Sequence, residues 1–156
     1  MRPTRSNGGV ILRGLLLAAL GAIGLAGCGN SSLSSAQLRI QADRMCSLAN
    51  QRTARIPTPA TPADTVAFLR RGIGVMRPEL VALRSLHPPK DAGDVYSASL
   101  TAFSKKLGAM RTTMREISFG HDPVVAIKAL QRELAPLEAQ EDGGWQALDV
   151  SACLNR

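Results

Sequence analysis

From residue 35 almost to its end, the chain repeats an apolar residue every three or four positions, the period of a helix with one buried face. Leu38, Ala42, Met45, Ala49 and Ile56 keep this spacing and predict a first helix over residues 35–55. Pro57 and Pro59 end it, since each removes a backbone donor and favours extended backbone before it. A second helix starts near Thr61, which can cap, with Pro62 suited to the first position and Asp64 in the first turn. Its stripe is Val66, Leu69, Ile73, Met76, Leu80 and Leu83. The stripe keeps its phase through Pro78, which predicts a kink and no chain reversal.

His87, Pro88, Pro89 and Lys90 form the next turn, and Asp91 or Asp94 opens the third helix. Tyr96, Leu100, Phe103, Leu107, Met110, Met114 and Ile117 give that helix a heptad-like seam, and Gly120 closes it. Asp122 caps the fourth helix and Pro123 opens it, with Ile127, Leu130, Leu134 and Leu137 as its stripe. Gly143 and Gly144 are expected to stop it, leaving Trp145, Leu148 and Val150 in a short segment that delivers Cys153. No stretch alternates as a strand does. The expected fold is all-α, an antiparallel up-and-down four-helix bundle whose tail returns along the first helix.

The first 27 residues follow another pattern. Arg2, Arg5 and Arg13 precede an apolar run that starts at Gly14 and ends in Leu25-Ala26-Gly27-Cys28. A basic head, a short apolar middle and small residues before a cut make an export signal. An uncleaved membrane helix is the alternative, but the run has about 14 residues where about 20 are needed to span. The four-residue ending resembles the lipobox of bacterial lipoprotein precursors. That resemblance implies a diacylglycerol on the Cys28 thiol, removal of residues 1–27, and a lipid-anchored chain facing away from the cytoplasm. It divides the chain into a signal peptide (1–27), a lipidated tether (28–35) and a bundle domain (36–156).

With Cys28 lipidated, Cys46 and Cys153 remain, an even pair in an exported chain. They are expected to form a disulfide; two buried thiols are the alternative. The layout of lipobox, early helical cysteine and late cysteine also resembles small helical bacterial lipoproteins of unassigned function, and implies no substrate. The signal also distorts the charge. The 156 residues carry 19 basic and 12 acidic side chains, a net +7. Three of the basic residues and no acid lie in residues 1–27, so the remainder carries +4. That excess suits an anionic lipid or polymer nearby, or simply a solvated surface.

Candidate chemistry is sparse. His87 and His121 fall at opposite ends of the third helix, on the order of 40 Å apart at about 1.5 Å per residue, so no shared metal ion is expected. No serine lies in a nucleophile turn, and Gly72-Ile73-Gly74 lacks the rest of a phosphate loop. Met45, Met76, Met110 and Met114 lie on the apolar stripes and read as core. Glu133, Glu138, Glu141 and Asp142 read as a solvated acidic face. One Trp, one Tyr and three Phe provide no stacking platform for nucleic acid. Arg111 and Arg115 share a face of the third helix, with Lys105 at its edge. Two guanidinium groups so placed can hold carboxylates or phosphates, which makes these three residues the candidate partner-binding surface.

The expected function is therefore that of a membrane-anchored, non-catalytic envelope lipoprotein, a binding or structural module. Its partners would be the bilayer through Cys28 and an envelope protein or anionic polymer, with no nucleic acid and no cofactor. The alternative is a lipoprotein receptor holding a small molecule between its helices, near residues 72–78.

Overall fold

The computed structural model describes residues 32–154; Cys28 and the apolar run before it lie outside them. Four helices follow in order: α1 (Ser35–Thr53), α2 (Thr65–Arg84), α3 (Gly93–Ser118) and α4 (Pro123–Ala147). Short 3-10 turns precede α2 and α3, and a third, Ser151–Cys153, follows α4. No strand occurs among the described residues, and no helix there is long and apolar enough to cross a membrane. The fold is an all-α, up-and-down bundle.

The helix ends show why the chain reverses where it does. Ser34 forms a capping box at α1, its hydroxyl accepting from the Gln37 N–H while Gln37 Oε1 accepts from the Ser34 N–H at 2.9 Å. One residue earlier, the Leu33 N–H donates to the His87 carbonyl at 2.8 Å, so the last part of the stretch read as tether is tied to the α2–α3 turn. At the other end of the bundle, Gly120 (φ 98°) follows α3 with the paired bonds of a Schellman motif, from the His121 N–H to Glu116 and the Gly120 N–H to Ile117. Asp122 then caps α4, accepting from the Val124 and Val125 N–H groups. α2 is continuous through Pro78, as the unbroken stripe predicts.

One expected stop is wrong. α4 passes through Gly143 and Gly144 and ends three residues later. A Cβ on Gly144 would collide with Ser99 Oγ and lie 3.3 Å from Ser99 Cβ, so that glycine lets α3 and α4 approach closely. The actual stop is Asp149, in the left-handed region at φ 56°. Its N–H bonds Gln146 and the Val150 N–H bonds Trp145, a second Schellman motif with aspartate where glycine usually stands.

The core has two parts. In the half nearest the start of α1, Leu38, Ala42 and Cys46 meet Leu80, Leu83, Tyr96, Leu100, Phe103, Leu107, Trp145, Val150 and Cys153. In the opposite half, only α2, α3 and α4 contribute, through Leu69, Ala109 and Leu130 with Met110, Met114, Ile117, Ile127 and Leu134 packed around them. The first half, where the described chain begins, is the proximal half; the other is the distal half. α1 packs on α2, and on the opposite side mainly on the Ser151–Cys153 turn, which closes the bundle.

Candidate functional site

The tail that closes the bundle is fixed residue by residue. Asp149 pairs with Arg39 at 2.6 Å, the Ala152 N–H donates to Asp43 Oδ1 at 2.9 Å, and Asn50 Nδ2 donates to the Ala152 carbonyl at 2.8 Å. These contacts bring Cys153 onto α1 beside Cys46, with a Cα–Cα distance of 5.1 Å and the sulfurs bonded. Both cysteines are fully buried. The pair anticipated from cysteine arithmetic is thus brought together three turns into α1, as the returning tail requires.

The candidate binding face is placed on α3. Arg111 and Arg115, one turn apart, are both exposed and line a shallow open depression with Gly108, Thr112 and Met114. Among the described residues neither forms an ion pair, and Arg115 Nη2 donates only a long 3.4 Å bond to Thr112 Oγ1. Lys105 is exposed as well, but six residues earlier, about 9 Å back along the axis. The two arginines form a unit and Lys105 sits at its margin.

Sequence reasoning missed the most unusual polar group. Lys106 and Glu141 form an ion pair, Nζ to Oε2 3.1 Å, with side chains only 3% and 1% exposed. Glu141 Oε1 also accepts from Trp145 Nε1 at 3.2 Å. Trp145 packs edge-on against Tyr96, whose hydroxyl donates to the Leu83 carbonyl at 2.6 Å. Burial raises the Glu141 carboxyl above the usual carboxylate range, opposed by the Lys106 charge and the bonds from Lys106 and Trp145. The acidic-face reading therefore fails for Glu141, which ties α4 to α3 inside the core. A signal was present: Leu137, Glu141 and Trp145 are four apart on one stripe, and Lys106 lies three after Phe103.

His87 and His121 are exposed, each in the turn at its end of α3. Among the described residues no group of three or more His, Cys, Asp or Glu is arranged to hold a metal ion. A Cβ on Gly72 would make ordinary contact with Met110 Cε at 3.4 Å. Beside Pro78 a groove of about 220 Å³ runs between α1 and α2, lined by Met45, Leu48, Ala49, Val75 and Glu79, and it opens to solvent. A wider open groove of about 380 Å³ lies at the distal end, where Pro59, Ala60 and Pro62 face Val124 and Ile127. Comparison with protein-family models, curated proteins and solved structures found no match to this chain.

Proposed function

We propose that this chain is a membrane-anchored, non-catalytic lipoprotein of a bacterial envelope, acting as a binding module for another envelope component. The observation that carries the reading is the Arg111–Arg115 pair, two exposed guanidinium groups without ion-pair partners among the described residues, on a rigid helix. Such a pair is suited to an anionic or carboxylate-bearing partner. The Leu25-Ala26-Gly27-Cys28 sequence supports the anchor, and it sets the orientation. Leu33, five residues after Cys28 in the chain, is bonded at the proximal end, so a lipid on Cys28 would leave the distal half pointing away from the bilayer that holds the protein.

The test has two arms. Cys28→Ala should abolish lipid modification and release the protein from the membrane fraction; an unchanged lipid-modified mass rejects the anchor. Arg111→Glu with Arg115→Glu should reduce crosslinking to the neighbour captured by the wild-type protein in intact cells. Unchanged capture rejects that face, and a turnover activity lost on one side-chain substitution rejects the non-catalytic role.

A further inference from the structure

The distal end of the bundle combines two features. The first is apolar exposure at a tip. Phe119 is 84% exposed, Val124 49% and Val125 65%, all within seven residues at the α3–α4 turn. Phe119 caps the end of α3, and the valines occupy the first turn of α4, so the three project where the chain reverses.

The second feature is charge. Residues 50–74 and 108–134 form the distal connections and the helix halves leading to them. They carry eight basic residues and four acids, whereas the rest of the described chain carries seven and eight. The whole positive excess of the domain therefore sits in the distal half. Of its four acids, Asp122 is engaged by the Val124 and Val125 N–H groups, and Asp64 by the Thr61 hydroxyl and N–H.

These features are ordered in depth. At about 1.5 Å per residue, Arg115 stands roughly 6 Å behind Phe119 and Arg111 roughly 12 Å. On α4, Lys128 follows the valines by roughly 5–6 Å and Arg132 by roughly 11–12 Å. All four cations are exposed. An apolar tip comes first, then one tier of cations, then another.

We infer that this tip is a contact site for an anionic phospholipid bilayer. Phe119, Val124 and Val125 enter the acyl boundary, and Arg115 and Lys128, then Arg111 and Arg132, meet lipid phosphates. A bilayer surface has this order, apolar beneath a layer of anions. An anionic polymer would satisfy the cations and leave the three apolar side chains in water. A second copy docked tip to tip would set two rings of like charge against each other. The inference names the partner of the Arg111–Arg115 face, and rests on the proposed anchoring only for orientation. Leu33, five residues after Cys28, and the tip lie at opposite ends of a helix of about 39 Å, so a lipid anchor at Cys28 and a lipid-binding tip would together join two bilayers.

The test uses the full processed protein, inserted through its own anchor into phosphatidylcholine vesicles. Capture of a second, labelled vesicle population is then measured, made of phosphatidylcholine with or without phosphatidylglycerol. The wild-type protein should capture the phosphatidylglycerol vesicles selectively and lose them as salt rises. Arg111→Glu with Arg115→Glu should weaken capture by about 30-fold, taking about 1 kcal/mol per basic residue lost at the surface. Phe119→Asp with Val125→Asp should weaken it by about tenfold or more, with helix content and melting unchanged. Equal capture of both vesicle types, or full capture by the Phe119→Asp/Val125→Asp variant, overturns the inference. So does a lipid-free dimer that disappears in that variant. If the protein does not stay in the donor vesicles, the anchor has failed instead, and direct sedimentation with the same two vesicle types tests the tip alone.

Discussion

Lys106 Nζ lies 3.1 Å from Glu141 Oε2, in an ion pair that joins α3 to α4 with almost no solvent on either side chain. Removing one partner of a buried pair strands the other, whereas replacing both by groups of similar volume is often neutral or stabilising. Lys106→Met leaves the Glu141 carboxylate buried with no cation, and at neutral pH it should cost about 3–5 kcal/mol in urea unfolding. Adding Glu141→Gln, which keeps an acceptor for Trp145 Nε1, should restore most of that loss. A double variant as unstable as Lys106→Met alone would contradict the pairing energetics.

The same pair sets a pH dependence. Because burial raises the folded Glu141 carboxyl above its unfolded value, the folded state binds more protons between the two. The contribution of Glu141 to stability is then full below the ordinary carboxylate range and falls as pH rises toward the raised value. Lys106→Met removes the charge opposing this shift and should steepen the fall, toward about 1.4 kcal/mol per pH unit at most. Lys106→Met with Glu141→Gln should abolish it. Asp64 has the opposite sign: the Thr61 hydroxyl and N–H hold it low, so its contribution is lost on acidification. Urea titrations from acidic to neutral pH measure both trends.

Cys46 and Cys153 close a loop spanning 107 positions. In the chain-entropy account such a link stabilises the fold by about 4–5 kcal/mol, so Cys46→Ala with Cys153→Ala should lower unfolding free energy by about that amount. Both sulfurs are buried, so reduction of the native protein should be slow and should keep pace with unfolding. Thiol labelling under reductant, followed over time against the unfolding rate, checks this. Rapid labelling of a fully folded protein would show that the tail opens by itself.

Adjacent glycines in α4 should respond in opposite ways. Gly144→Ala drives a methyl into Ser99 and should cost about 1–3 kcal/mol, as overpacking does. Ser99→Ala in the same chain should recover part of that. At Gly143 a Cβ meets nothing within 4 Å, so Gly143→Ala should stabilise by about 0.5–1 kcal/mol through better helix propensity. Thermal melts of the three variants measure the contrast.

Those glycines also show where the sequence could be read and where it could not. The four helices were legible because each stripe repeats with the helical period, and because Thr61 and Asp122 mark where the second and fourth begin. Composition could not show that Gly144 faces Ser99, because a glycine that ends a helix and one that admits a neighbouring helix look alike in one chain. Asp149 gave no stop signal, since aspartate takes the left-handed region only when the local bonding favours it. Lys106 and Glu141 are charged, which by residue type favours the surface, and only their phase with Phe103, Leu137 and Trp145 marks them as interior. The tip was hidden for another reason: Phe119, Val124 and Val125 fall outside the stripes, and their exposure depends on which end of the bundle is left uncovered.

The disulfide has a mechanical consequence when load acts between the N-terminal end and the tip. Along the chain, 73 residues separate Cys46 from Phe119, which at about 3.5 Å each could extend to roughly 255 Å. Through the sulfur link the route from Cys46 to Phe119 is the 34 residues back from Cys153, or roughly 120 Å. The shorter route draws taut first and takes the tension, leaving α2 and α3 slack beside it. A pulled molecule would therefore stop lengthening at about half the span of its reduced form, as a strap with a sewn loop does.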